Sequence, residues 1–378
     1  MDLSGISKDP EKIMTAKKQG MWRWKEFLPV SQSLSLISLG EGDTPLIAGG
    51  QVAQDLNLPG LFFKAEFLLP TGSLKDRSVA LAVNHALSVS AKTIAVASTG
   101  NHAASLAAYA AAAGLKAFIF VPENTDRAKI NQAAIHGATV VCVKGTMQDA
   151  GKLLHEAIKV YNWYPCMSTN PFRNEGKKTC TYEVWEQLDQ QVPDFMVHPI
   201  GGGIGLWAAW KAWCELKEIK WTDKIPKMVG AQAVNAAPVG EAWEKGLDDS
   251  IKIIPRPTCA ESIALGAITP GVGFRTLAAL KKSGGTCVNL TDEQILNARD
   301  LLARRAGLFV EPAAAASLAA IIELRKKNVI QSHHVVVCLL TGQGLKQTVS
   351  NDAEIPVIRI DADLSQLEKI LKISEVPS

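Results

Sequence analysis

The chain has 378 residues, 47% of them apolar and 20% charged, the composition of an ordinary globular protein, which excludes disordered, collagen-like and mucin-like classes. At roughly 150 residues per domain, the length predicts two to three domains, or two large ones. Forty Lys+Arg against 37 Asp+Glu leave a formal charge of +3, and the basic residues are scattered, so neither nucleic acid nor an acidic membrane surface is expected as a partner.

The first 40 residues include Trp22 and Trp24 and read as a packed arm, because tryptophan is costly to leave exposed. Val79–Leu87 is an apolar helical stretch. From about Lys92, β-branched runs alternate with alanine-rich segments: strand Thr93–Ala97, helix Asn101–Ala113 stopped by Gly114, strand Ala117–Val121, a helix capped by Thr125 and ended by Gly137, strand Thr139–Val143 and a helix near Gln148–Val160. A second block follows with strand Phe195–Ile200, helix Leu206–Leu216, strand Met228–Ala233, helices Glu293–Ala306 and Ala313–Arg325, and strand Val335–Leu340. Strands apolar throughout, rather than alternating, need both faces covered and predict parallel sheets between helix layers. The expected architecture is α/β with two open, mostly parallel sheets. A smaller domain at 82–178 is inserted into a larger one built from 1–81 and 179–378. The longest apolar runs are strand-length and too short to span a bilayer. Met1-Asp2-Leu3-Ser4 shows no secretory pattern, and seven cysteines at least fourteen residues apart form no CxxC pair. Together these predict reduced thiols and a cytoplasmic location.

Three segments point to chemistry. Gly201-Gly202-Gly203-Ile204-Gly205 lies between a strand and a helix, where consecutive backbone N–H groups converge on one anion at the positive helix end. It does not match GxGxxG, because position 206 is Leu206, and Gly176-Lys177-Lys178-Thr179 fails as a nucleotide loop because Pro171 occupies the first glycine position. The loop is therefore a single-phosphate cup or an ordinary tight turn. Lys75, in Pro70-Thr71-Gly72-Ser73-Leu74-Lys75-Asp76-Arg77, sits where small turn residues meet an apolar helix; burial and the helix dipole there lower an amine's pKa and make it a nucleophile or base. Ser98-Thr99-Gly100-Asn101-His102 follows a strand and opens a helix, the usual crevice for a ligand in open parallel sheets. Its hydroxyls and N–H groups suit a carboxylate, or serve as a plain helix cap. No metal-ligand spacing is present.

A reactive lysine, a phosphate cup and a carboxylate cradle describe an enzyme acting on an amino acid through pyridoxal phosphate. The segments also resemble, in order and spacing, the threonine synthase branch of fold-type II pyridoxal-phosphate enzymes. The match runs from about Gly20 to Lys346 and is carried by Gly20–Val30, Leu39–Leu46, Pro70–Arg77, Ser98–Asn101, Asn170–Arg173 with Glu175–Thr179, Phe309–Pro312 and Leu340–Lys346. The resemblance implies that Lys75 carries the cofactor aldehyde as a covalent imine and later shuttles protons. It implies that Asn101 hydrogen-bonds the ring hydroxyl, that Gly201, Gly202, Gly203 and Gly205 bind the cofactor phosphate, and that Thr341 faces the pyridine nitrogen. It assigns Ser98 and Thr99 to the substrate α-carboxylate and Ser168 and Arg173 to a leaving phosphate. The implied reaction converts O-phosphohomoserine and water to threonine and phosphate, in a homodimer taking a phosphorylated amino acid and no metal. Leu69, Leu74, Met167 and the pair His102-Ala103 depart from the branch's usual pattern. They leave open a serine/threonine dehydratase or a cysteate-synthase-like β-replacement enzyme.

Overall fold

A computed structural model of the protein describes residues 3, 5–7, 9–14, 19–30, 35–347, 359 and 366. The described residues up to 347 belong to one compact unit. Parts of the expected arm, and the expected large domain beyond 347 apart from Arg359 and Gln366, therefore lie outside the described residues. Trp22 and Trp24 of the arm are buried.

Among the described residues, ten strands make two sheets. The six-stranded sheet runs β1 (Leu46–Ala48), β2 (Leu61–Lys64), β10 (Val336–Leu339), β7 (Phe195–Pro199), β8 (Lys227–Ala233) and β9 (Thr286–Leu290). Only β1, at the edge, is antiparallel to its neighbour. The four-stranded sheet, in the order β5 (Thr139–Val143), β4 (Lys116–Pro122), β3 (Thr93–Ala97) and β6 (Tyr164–Pro165), is parallel throughout.

Period-2 alternation along these strands separates two cores on either side of the large sheet. Phe195, Val197, Val336 and Cys338 pack with helices Asp292–Ala306 and Pro312–Lys326, whereas Met196, Val337 and Leu339 pack with helices Thr179–Gln187, Ile204–Glu218 and Val272–Lys282. In the small sheet, Ile94 and Val96 face helices Lys75–Ser88 and Asn101–Ala112, while Ala95 and Phe120 face Met147–Tyr161. Both faces of each sheet are covered, which is why the strands carry so few polar side chains.

The helix after β4 differs from the sequence expectation. Its cap is Asp126, whose carboxylate accepts from the N–H groups of Ala128 and Lys129, and the helix spans Arg127–Ala134. The Thr125 hydroxyl instead donates to the Pro122 carbonyl. Strands β1, β2, β6 and β9 and helices Thr179–Gln187 and Val272–Lys282 are among the additions to the expected series. Among the described residues, no helix is long and apolar enough to cross a membrane.

Candidate active site

The carboxyl ends of β3, β7 and β10 and the first turn of helix Lys75–Ser88 open onto one cavity of about 390 Å³. Lys75, Ser98, Asn101, Ser168, Arg173, Gly201, Gly202, Gly203, Gly205 and Thr341 all line it. Thr99 lines instead a smaller adjoining depression shared with Asn101 and Glu311.

Local turn chemistry places Lys75. Gly72 takes φ +77°, a conformation that favours glycine, and its N–H donates to the Leu69 carbonyl. The Asp76 carboxylate then closes the turn, accepting from the Thr71 N–H at 2.7 Å and its hydroxyl at 2.5 Å, and also from Ser105 on the neighbouring helix at 2.6 Å. One residue further on, Arg77 is fully buried and held by Glu66 on one side and Glu183 on the other; Lys64 also reaches Glu183. The Leu74 N–H donates to the Thr341 carbonyl, the Gln343 N–H to Gly72 and the Lys346 ammonium to Thr71, so the lysine turn and the segment after β10 are stapled together. These contacts hold the start of the helix, and with it Lys75, at the ends of the large-sheet strands. Burial lowers the Lys75 amine from its ordinary range, the Glu311 carboxylate opposes that shift, and the Arg173 guanidinium reinforces it.

Glu311, at the cap of helix Pro312–Lys326, is the carboxylate that lines the cavity. It is buried, accepts from Asn101 Nδ2 at 3.0 and 3.2 Å and from the Ser262 hydroxyl at 3.2 Å. Burial raises its pKa while Asn101 and Lys75 pull the other way. A side chain at Gly342 would lie 2.5 Å from the Glu311 carboxyl carbon, so that glycine makes room for it. In the sequence, Glu311 stands only within the Phe309–Pro312 motif; its contact with Asn101 crosses 210 positions and has no local signal.

The glycine run starts helix Ile204–Glu218, which has no side-chain cap. Its first N–H groups therefore remain for an anion, with the helix dipole behind them. Gly203 has φ +84°, and a Cβ there would fall 2.5 Å from Thr276 Oγ1 and 2.8 Å from its Cβ. A Cβ at Gly205 would meet open space.

On the opposite wall, Arg173 and Lys177 are both buried and both line the cavity. Arg173 donates to the Cys166 carbonyl at 3.3 Å, and its Nε is buried without a partner. His102 uses Nε2 on the same carbonyl at 2.7 Å. Burial holds its pKa well below the ordinary value, so the ring is neutral with the proton on Nε2, a supporting contact for the Arg173 wall. The Ser168 hydroxyl meets Thr269 Oγ1 at 2.7 Å. In the sequence, Lys177 stands in the rejected nucleotide loop and in the Glu175–Thr179 motif, with no local signal that places it at the cavity.

A family model described as "Pyridoxal-phosphate dependent enzyme" matches residues 37–342. The chain is 38% identical to a threonine synthase of Methanocaldococcus jannaschii over 365 residues, covering 96% of this chain and 89% of that one. It is 36% identical to a threonine synthase of Methanosarcina acetivorans, covering 98% and 91%. Among solved structures, a T.th. threonine deaminase superposes with a TM-score of 0.69 at 25% identity, covering 82% of this chain and 94% of that one.

Proposed function

The chain belongs to the pyridoxal-phosphate dependent enzymes, in their threonine synthase family, and on that premise we propose that it converts O-phosphohomoserine and water to threonine and phosphate. One observation carries this reading. A single cavity is lined by three basic side chains, Lys75, Arg173 and Lys177, against the one carboxylate of Glu311, which is itself engaged by Asn101 and Ser262. Such a site favours ligands bearing more than one negative group.

The residues present fit the cofactor. The glycine run leaves uncapped N–H groups and, at Gly205, open space where a phosphate is received. Lys75 offers an amine that burial makes less basic and therefore more available as a nucleophile. Thr341, a neutral hydroxyl at the end of β10, lines the cavity, and among the described residues Glu311 is the one carboxylate that shares it. When bound, pyridoxal phosphate supplies an electron sink that stabilises negative charge next to the amino-acid α-carbon. The protein's own contributions follow. Lys75 Nζ holds and returns the protons removed from Cα and Cβ. Asn101, its amide fixed by Glu311, orients the cofactor's ring hydroxyl. Ser98, with Thr99 and the neighbouring amides, holds the substrate α-carboxylate. Arg173, steadied by the Cys166 carbonyl, and Ser168 hold the side-chain phosphate as it departs.

The same reading takes residues 82–178, around the four-stranded sheet, as the smaller domain, and 1–81 with 179–378 as the larger. It takes the working form as a homodimer in the cytoplasm. The seven free thiols support a reducing compartment; the dimer rests on the resemblance alone. Serine and threonine carry a neutral hydroxyl, so a dehydratase substrate would leave Arg173 and Lys177 buried without a counter-charge. The test is incubation of the holoenzyme with O-phosphohomoserine. Threonine and inorganic phosphate should appear in equal amounts; a keto acid and ammonia from serine or threonine, with no phosphate released, would replace the proposal with a dehydratase. A sulfonated amino acid formed from a phosphorylated substrate and sulfite would point to the β-replacement enzyme.

A further inference from the structure

Lys177 and Lys178 are adjacent in sequence and have opposite fates. The Lys178 ammonium is fully buried and satisfied, donating to both Glu215 oxygens at 2.8 and 2.9 Å and to the Phe27 carbonyl at 2.9 Å, with Glu175 as an ion-pair partner at 2.7 Å. Lys177, at the end of the short helix Pro171–Gly176, is 7% exposed and turns to the cavity. The charged and titratable groups acting on it are Arg173, Lys75 and Cys166, none of them a carboxylate; His102 is the other titratable group that feels its charge. Arg173, also 7% exposed, has an unpartnered Nε and likewise no carboxylate acting on it. An uncompensated buried cation is costly, and a guanidinium does not relieve that cost by losing its proton. An anion entering from the cavity supplies Arg173 with a counter-charge and Lys177 with a hydrogen-bond acceptor.

We infer that Lys177 is a second binding arm for the side-chain anion of the substrate, paired with Arg173, and that it tunes this wall to a doubly charged group over a singly charged or neutral one. The inference rests on the reading of the cavity given above. A phosphate monoester carries close to two charges at neutral pH, so one guanidinium alone leaves part of that charge uncompensated, while the pair balances it. Burial and the two neighbouring cations also lower the Lys177 amine well below its ordinary value. Arrival of the dianion therefore draws a proton onto Nζ, and anion binding couples to proton uptake.

The probe is inorganic phosphate added to the holoenzyme, in which the cofactor's own phosphate fills the glycine cup, so that the added ion reads the Arg173–Lys177 wall. Binding is followed by calorimetry in two buffers of different ionisation enthalpy. Lys177→Gln should weaken phosphate binding about tenfold to a hundredfold, the effect of one lost charge-assisted hydrogen bond. The visible band of the bound cofactor should be unchanged, and the buffer-dependent proton uptake should disappear. Lys177→Arg should restore affinity to within a few-fold, a rescue that a merely space-filling role does not give. If Lys177→Gln loses its cofactor band, Lys177→Met, which keeps the apolar stem, serves in its place. Wild-type affinity in the charge-free variant overturns the inference and leaves the proposed reaction standing. A wild-type holoenzyme that neither binds phosphate nor releases it from O-phosphohomoserine overturns both.

Discussion

Two glycines of the cup separate a requirement of the fold from a requirement of the ligand. Gly203→Ala places a Cβ against Thr276 on a backbone at φ +84°. The left-handed conformation costs an alanine roughly 1–2 kcal/mol. Displacing Thr276 also disturbs its 2.9 Å hydrogen bonds to the Gly202 and Val272 carbonyls, adding about 1 kcal/mol. The variant should therefore lose about 2–4 kcal/mol of stability, with or without cofactor. Gly205→Ala meets nothing within 4 Å and sits in the first turn of helix Ile204–Glu218, where alanine gains up to about 0.5–1 kcal/mol over glycine. On the proposed function, that open space receives the cofactor phosphate. Its methyl group should weaken pyridoxal phosphate binding about tenfold to a hundredfold, the range for one lost hydrogen bond to a charged group. The assay is urea unfolding of the apoprotein beside spectroscopic titration with pyridoxal phosphate and with pyridoxal, which lacks the phosphate. Gly205→Ala should be as stable as the parent or more so, weak for the phosphate form and unchanged for the other. A Gly205→Ala protein that binds pyridoxal phosphate as tightly as the parent would refute the placement of the phosphate.

Other expectations follow from the same geometry. Arg77→Met leaves the buried carboxylates of Glu66 and Glu183 without their shared cation and should cost about 3–5 kcal/mol, read as a lower urea midpoint; an unchanged midpoint would remove this network from the account of how Lys75 is held. Burial keeps His198 neutral down to a pKa of about 3, against about 6.5 in the unfolded chain. Its contribution to stability is thus complete above about pH 6.5 and is lost as pH falls towards 3, amounting to about 2 kcal/mol at pH 5. His198→Gln should flatten the acid limb of stability against pH by that amount, and an equally steep limb in the variant would contradict it.

The sequence made the central strands legible because they are buried on both faces and so read as unbroken apolar runs, as in Thr93–Ala97 and Met228–Ala233. Local chemistry likewise marked the glycine cup and the lysine turn. What escaped was tertiary. Both Thr125 and Asp126 are good helix caps, and the Pro122 carbonyl decided between them. Two residues, Tyr164–Pro165, are too few to announce a strand. Glu66, Arg77 and Glu183 look like three solvated charges until folding buries them together. Lys177 and Lys178 look alike in sequence, and only the placement of Glu215 and Glu175 distinguishes the satisfied ammonium of Lys178 from the Lys177 amine that faces the cavity.

The central claim is that Lys75 is the residue joined to pyridoxal phosphate. Reduction of the purified holoenzyme with borohydride, followed by proteolysis and mass spectrometry, tests it most directly. The expected result is loss of the visible band and a phosphopyridoxyl mass increment on the peptide containing Lys75, absent from Lys75→Ala. An increment on a different lysine, or a protein that stays colourless and unlabelled with excess cofactor, would contradict it.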